Sequence, residues 1–336
     1  MAKIKKIPVE KAVGMHLAHD VTLIKPGVYK GPLFKKGHEI KPDDIEKLKE
    51  IGRFNVYVLE YFELDEDEVH EDDAAIQIAN AAVGENIRKV GPDEAKINLF
   101  ADVNGLLKIN VDALAKINMV DGLKFVTKKT NIPVKKGEKV AIIGIGPLIM
   151  KKQEIDKAVE AAKAGFPVIR VIPFKKTKVG VIVTGQEVYE GKIQDKFGDL
   201  VAKKLAPYNI KISEKVILPD DRKAIRDKII EFALEKKYDL ILLSGGMAVD
   251  PDDVTPFAIR DTGARVVFHG LPVLPASSSM LAYLKDKIIF GISAGAIFYE
   301  KSVLDIFLPR FLARDEIIRE EVAQLGHGGL LTTHHR

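Results

Sequence analysis

From residue 178 onward, short unbroken runs of β-branched and aliphatic residues alternate with amphipathic stretches. The run 179–183 is followed by a helical pattern over 196–205, with Phe197, Leu200, Val201 and Leu205 near one face. A strand at 210–216, a helix at 222–236 and a strand at 240–243 come next. A helix near 256–262, strands at 265–268 and 287–292, and a helix at 297–311 complete the series. Strands buried on both faces read as continuous apolar runs, whereas half-exposed strands alternate. The pattern predicts an α/β domain of three layers, its mostly parallel sheet covered by helices on both sides. Ligands of such sheets bind outside the carboxyl ends of the strands, so the loops after each strand are where function is sought.

The 336 residues suggest two or three domains. Residues 1–62 read as a small α+β module: short strands flank the turn Pro26-Gly27, a helix opens at Pro42-Asp43 and closes at Gly52, and 56–59 is a strand. Residues 63–175 read as a β-rich middle domain, with helices at 74–88 and 151–164 and strands at 98–109, 124–130, 140–143 and 168–172. Residues 176–314 are the α/β domain, and 315–336 a C-terminal tail. Between residues 60 and 73 there are nine carboxylates and no Lys or Arg, which reads as a solvated hinge.

Composition narrows the chemistry. The absence of Cys excludes a disulfide framework, a thiolate metal site and a Cys nucleophile. The net charge of +4 is too small to argue for nucleic acid. The basic start lacks an apolar leader core, and the apolar stretch near 140–150 falls short of the ~20 residues a membrane helix needs. The expectation is a soluble cytoplasmic protein.

Three strand ends carry unusual residues. After the first come Thr184-Gly185, then Glu187, and Asp195 at the start of the next helix. Gly185 permits close approach of a ligand, whereas Asp195 serves equally as a helix cap. After the second, Ser244-Gly245-Gly246 is a small-residue loop suited to an anion, followed by Asp250, Asp252 and Asp253. Carboxylates beside an anion loop call for a cation, Mg²⁺ being the usual one; capping of the following helix by Asp252 or Asp253 is the alternative. After the third, Gly291, Ser293 and Gly295 form another small-residue turn.

These motifs resemble a family. Over 178–312 the sequence is similar to the molybdopterin-binding domain of molybdenum-cofactor biosynthesis proteins: the adenylyltransferases, the molybdotransferases and gephyrin. Thr184-Gly-Gln-Glu187, Ile193-Gln-Asp195, Ser244-Gly-Gly246 and Asp253-Val-Thr-Pro256 carry the likeness in order and spacing. The stretch GHEIKPDDIEKLKEIGRFNVYVLE resembles the small N-terminal module of molybdopterin-binding proteins of this subtype. The resemblance implies molybdopterin, or its adenylylated form, as ligand or substrate. It implies Glu187, Asp195 and Asp253 as catalytic and Mg²⁺-binding residues. Thr184, Gly185, Ser244, Gly245, Gly246, Gly291, Ser293 and Gly295 would bind the ligand. It further implies a transferase, by adenylyl transfer or molybdate insertion, and a homo-oligomer, most simply a dimer.

The sequence departs from the family in three places. The family's Gly-Leu-Pro-Gly-Asn-Pro is here Gly291-Ile-Ser-Ala-Gly-Ala296. The lysine-bearing Pro-Gly segment of the molybdotransferases is Leu271-Pro-Val-Leu-Pro-Ala276, without Lys. The usual Ser is Ala248. The altered loops favour the second reading, a molybdopterin-binding or sensing protein without turnover; the intact carboxylates favour an enzyme.

Three weaker signals take plain readings. Gly144-Ile-Gly146 begins a dinucleotide fingerprint, but Ile149 stands where its third Gly belongs, so a turn is preferred. Lys175, Lys176 and Lys178 make a linker face rather than a nucleic-acid patch. The tail holds His327, His334 and His335, and reads as a frayed terminus in preference to a metal site.

Overall fold

The structure is a computed structural model that describes residues 4–59, 65–93, 95–248 and 253–331. The chain divides into two compact units, one built mainly from residues 1–171 and the other from 172 to 336, with short exchanges at 104–106 and 131–133.

In the first unit, strands Ile4–Pro8, Asn55–Leu59 and His16–Leu17 form a small antiparallel sheet, with Asn55–Leu59 central. Val21–Lys25 and Tyr29–Phe34 form the hairpin expected around Pro26-Gly27. A four-stranded antiparallel sheet runs Leu123–Thr127, Lys139–Ile145, Lys96–Ala101, Ile87–Asp93. Helices Glu71–Ala82, Val111–Asn118 and Lys152–Ala164 belong to this unit. The helix Val111–Asn118 is absent from the sequence reading; its cap is Asn110, whose side chain accepts from the Ala113 N–H at 3.1 Å.

The acidic run is a structured element from Asp65 on, not a hinge. Glu68–His70 pairs antiparallel with Ile149–Lys151, and Glu71, Asp72 and Asp73 form the first turn of a helix. Carboxylates suit that position because they face the positive end of the helix dipole. Residues 60–64 lie outside the described residues.

The second unit is the α/β domain. Its elements are β1 (Val179–Thr184), α1 (Gln186–Tyr189), α2 (Phe197–Leu205), β2 (Ile212–Leu218), α3 (Arg222–Ile230), β3 (Leu240–Gly245), α4 (Thr255–Asp261), β4 (Arg265–His269), β5 (Met280–Leu284), β6 (Lys287–Ser293), α5 (Val303–Ala313) and α6 (Arg319–Gln324). The sheet order is β2-β1-β3-β6-β5-β4. β1, β2, β3 and β6 are mutually parallel; β5 runs against both β6 and β4. Five of the six strands therefore point one way.

The two-residue alternation of a strand sorts its side chains between two cores. Val179, Val181, Val183, Leu240, Leu242, Phe290 and Ile292 pack on one face with Phe197, Val201 and Leu205 of α2 and Phe307 and Phe311 of α5. Ile182, Ile241, Leu243, Ala282 and Ile289 pack on the other with Ile225 and Ile229 of α3 and Ala258 and Ile259 of α4. The expected three layers follow.

Two elements differ from expectation. β5 is absent from the sequence reading; a two-residue loop, Lys285-Asp286, joins it to β6, with Lys285 at φ 57°. That conformation is normally signalled by Asn or Gly. α5 starts at Val303 instead of 297, because Ser302 and Asp305 form a capping box: the Ser302 hydroxyl accepts from Leu304 N–H, and Asp305 accepts from Ser302 N–H at 2.8 Å. Residues 294–298 are a separate 3₁₀ turn.

The tail is docked rather than frayed as far as residue 331. Ile317 and Val322 are fully buried in the core that holds α5. Leu274 and Leu330 form a parallel bridge, with Leu331 N–H donating to Leu274 O at 2.9 Å. His327 is exposed, and His334 and His335 lie outside the described residues.

Candidate functional site

The register of the parallel strands brings the three small-residue loops side by side. Val183 of β1 is level with Ser244 of β3, and Gly245 of β3 with Ser293 of β6. Because β1, β3 and β6 are neighbours running one way, their carboxyl ends open on one edge. The three small-residue loops meet there.

The second loop is locked from both sides. Thr184 Oγ1 donates to Ser244 O at 3.2 Å and shares a hydrogen bond with Thr255 Oγ1 at 3.0 Å. Thr184, Ser244 and Thr255 are all buried. Gly245 makes this possible, since a Cβ there would overlap the Thr184 hydroxyl. A Cβ on Gly246 would likewise overlap the Asp253 carboxylate. Asp253 thus rests directly on the glycine loop, as the sequence reading placed it. Asp250 and Asp252 lie outside the described residues.

Further on, His269 at the end of β4 holds the loop. Its Nε2 lies 2.9 Å from Met247 O and its Nδ1 lies 3.2 Å from the Arg260 guanidinium. A carbonyl only accepts and a guanidinium only donates, so the neutral ring carries its proton on Nε2. Nothing in the local sequence marks His269, because its partners come from another strand end and from α4.

The first loop turns sharply at Gly185, φ 145°, whose N–H donates to Leu218 O at 3.3 Å. Only glycine adopts this backbone readily. The next N–H, of Gln186, donates to Asp220 Oδ2 at 3.0 Å. Glu187 follows in the one-turn α1, with its side chain exposed.

Asp195 has a structural engagement. Oδ1 accepts from Phe197 N–H at 2.7 Å and Gly198 N–H at 3.3 Å, and Oδ2 pairs with Lys215 Nζ at 2.7 Å. Lys215 sits in β2 level with Val181, three residues and so about 10 Å before the strand end at Thr184. Burial opposes ionisation of Asp195, but the Lys215 ammonium and the N–H groups of Gly198 and Phe197 together hold its carboxyl below the ordinary value. A carboxylate with a depressed folded pKa stabilises above its unfolded value, near 4, and loses that contribution as pH falls through the folded one. Asp195→Asn is therefore expected to cost about 1–2 kcal/mol at pH 7, the difference from wild type closing toward pH 2. Urea titrations at the two pH values check this; an equal loss at both would contradict it.

In the third loop, Gly291 is a packing glycine. A Cβ there would lie 2.5 Å from Met247 Cε and 2.9 Å from its sulfur, so its missing side chain is filled by protein rather than left for a ligand. Gly295 is open, with only Ser293 Oγ at 3.9 Å from such a Cβ. Ser293 is half-buried. Among the described residues there is no group of three or more His, Asp or Glu that could hold a metal ion. Glu187, Asp195 and Asp253 are therefore not gathered into such a group, and Asp195 is already engaged by Lys215.

No helix among the described residues is long and apolar enough to cross a membrane. Residues 6–60 match the model of a domain of unknown function. Molybdopterin molybdenumtransferase of Staphylococcus aureus (strain COL) is 25% identical over 173 residues, 48% of this chain and 41% of that protein. The enzyme of the same name from Staphylococcus epidermidis (strain ATCC 35984) is 26% identical over 160 residues, 45% of this chain and 38% of that protein. The chain thus spans about two fifths of the length of these curated relatives. Among solved structures, the molybdopterin biosynthesis enzyme MoaB from Thermus thermophilus is 19% identical, covering 40% of this chain and 91% of that one, with a TM-score of 0.33. The molybdopterin biosynthesis MoeA protein from Pyrococcus horikosii is 18% identical, covering 73% and 79%, with a TM-score of 0.35. Residues 180–313, which span the α/β sheet with its three converging loops, match the family model described as a probable molybdopterin binding domain, so the second unit of this chain carries a domain of that description.

Proposed function

We propose that the chain binds molybdopterin or adenylylated molybdopterin at the edge formed by β1, β3 and β6, and acts on it as a transferase of cofactor assembly. The observation that carries this reading is the alignment of Thr184, Ser244–Gly246 and Ser293 on one sheet edge, with Asp253 seated on Gly246. Small-residue loops at parallel strand ends let backbone N–H groups approach a phosphate closely. Asp253, with Glu187 from the first loop, would hold Mg²⁺ jointly with that phosphate, because Mg²⁺ typically takes one or two carboxylates and completes its shell with phosphate and water. Asp195 would act behind them, fixing the start of α2 through its ion pair.

The test is calorimetric titration of the chain with molybdopterin and adenylylated molybdopterin, with and without Mg²⁺. Mg²⁺ is expected to bind weakly alone and to tighten ligand binding. Asp253→Asn should weaken Mg²⁺-dependent binding about tenfold, or ~1.4 kcal/mol, and leave thermal unfolding unchanged. If that variant binds ligand and metal like wild type, Asp253 is only a neighbour of the loop and the metal role fails. Tight binding with no turnover would make the chain a binding protein.

A further inference from the structure

A cavity of about 710 Å³ lies in the first unit, lined by the loop residues His19 and Asp20, by Tyr57, by Glu71 at the start of its helix, and by residues 95–96 and 145–149. Its volume falls in the range of small-molecule sites. Ile145, Pro147, Leu148 and Ile149 supply an apolar wall. The polar lining is Asp20, Glu71, His19, Lys96 and Tyr57. None of these residues takes part in the site on the second unit.

The lining favours acceptors. Asp20 spends Oδ1 on the Lys36 N–H at 2.6 Å. His19 Nδ1 lies 2.8 Å from Asp20 O; a carbonyl can only accept, so Nδ1 carries the proton and the neutral ring keeps Nε2 as an acceptor. Glu71 opens its helix with its backbone N–H donating to Leu148 O at 3.0 Å, while its side chain lines the cavity. Against two carboxylates and one imidazole acceptor stand Lys96 and the Tyr57 hydroxyl. With Glu71 ionised, the lining carries one net negative charge. A ligand that restores balance brings donors and positive charge, and an apolar body for the Ile145–Ile149 wall.

We propose that this cavity binds a small organic cation, an amine or amidine on an apolar body, with Glu71 and Asp20 as its counter-charges. The site is independent of the molybdopterin reading.

Its pH dependence has a definite sign. Burial pushes the Glu71 carboxyl up to about 7, with Asp72 and Asp20 adding to the rise and Lys36 and Lys96 opposing it. This overrides the helix N-terminus, which ordinarily favours a carboxylate. His70 on the adjoining strand and His19 across the cavity are the other titratable neighbours. The cation binds the ionised form, so affinity climbs as pH rises through 7 and then levels off.

Calorimetry of the full chain with benzamidine, and with benzoate as the opposite charge on the same ring, tests the proposal. Benzamidine should bind about tenfold tighter at pH 8 than at pH 6, the gain expected from one ionising group near 7, and benzoate should give no saturable heat. Glu71→Gln should weaken benzamidine about tenfold at pH 8 and flatten the dependence, which separates Glu71 from an imidazole titrating in the same window. Asp20→Asn keeps an acceptor for the Lys36 N–H and should also weaken binding; thermal melts confirm that both variants fold. Absence of benzamidine binding, benzoate binding as well as benzamidine, or wild-type affinity in both variants would overturn the assignment.

Discussion

Gly245→Ala is expected to destabilise the second unit by about 3 kcal/mol. The added Cβ would overlap the Thr184 hydroxyl and come within 3.2 Å of Thr255 Oγ1. Overfilling a packed interior costs about 1–3 kcal/mol. Displacing Thr184 also breaks its bonds to Ser244 O and Thr255, and a buried hydroxyl left without its partner costs about 1–3 kcal/mol more. The double variant Gly245→Ala/Thr184→Ala should recover part of the loss by removing the overlapped atom. Gly295→Ala, with only Ser293 Oγ nearby, should fall within about 0.5 kcal/mol of wild type. Urea denaturation of the three variants decides the matter. Equal effects at positions 245 and 295 would mean that Thr184 does not lock the loop.

Arg310→Met should be comparably damaging, at about 3–5 kcal/mol, the usual cost of removing one partner from a buried ion pair. Arg310 is 4% exposed in α5. Its Nε donates to Asp315, and its Nη2 donates to Glu316 O at 2.9 Å and to Glu321 at 2.7 Å. Met occupies similar volume without the charge, so the loss isolates the polar interactions. A shift in the denaturation midpoint worth less than about 1 kcal/mol would show that Asp315 and Glu321 are adequately served by other groups.

The alternation that defines the α/β domain was legible because it depends on local pattern. The runs at 179–183, 240–243 and 287–292 each lie within the strand that forms, and their alternate residues reach two separate cores. β5 was not legible, since its turn carries Lys285-Asp286 where a glycine or asparagine would have announced it. The restart of α5 had a signal, Ser302 followed by Asp305, but the apolar residues on both sides masked it. In the site, the sequence located the loops and set Asp253 beside Gly246, yet a glycine's letter does not say what fills its space. At Gly291 the filler is Met247, and at Gly245 it is Thr184, each supplied by another strand end. Asp195 was open between cap and ligand; the decisive partner, Lys215, lies twenty residues away on a neighbouring strand. Such contacts are set by topology and leave no trace in local spacing.

The docked tail has a consequence for how this domain can be moved between proteins. The family match ends at residue 313, but the guanidinium of Arg310 finds its counter-ions at Asp315 and Glu321, and Ile317 and Val322 fill the floor beneath α5. A graft cut at the family boundary would carry an interior cation stripped of its anions and an apolar hollow opened to water. The family match and the packed core therefore have different edges, and any recombination that keeps the first must bring its own replacement for the residues beyond 313.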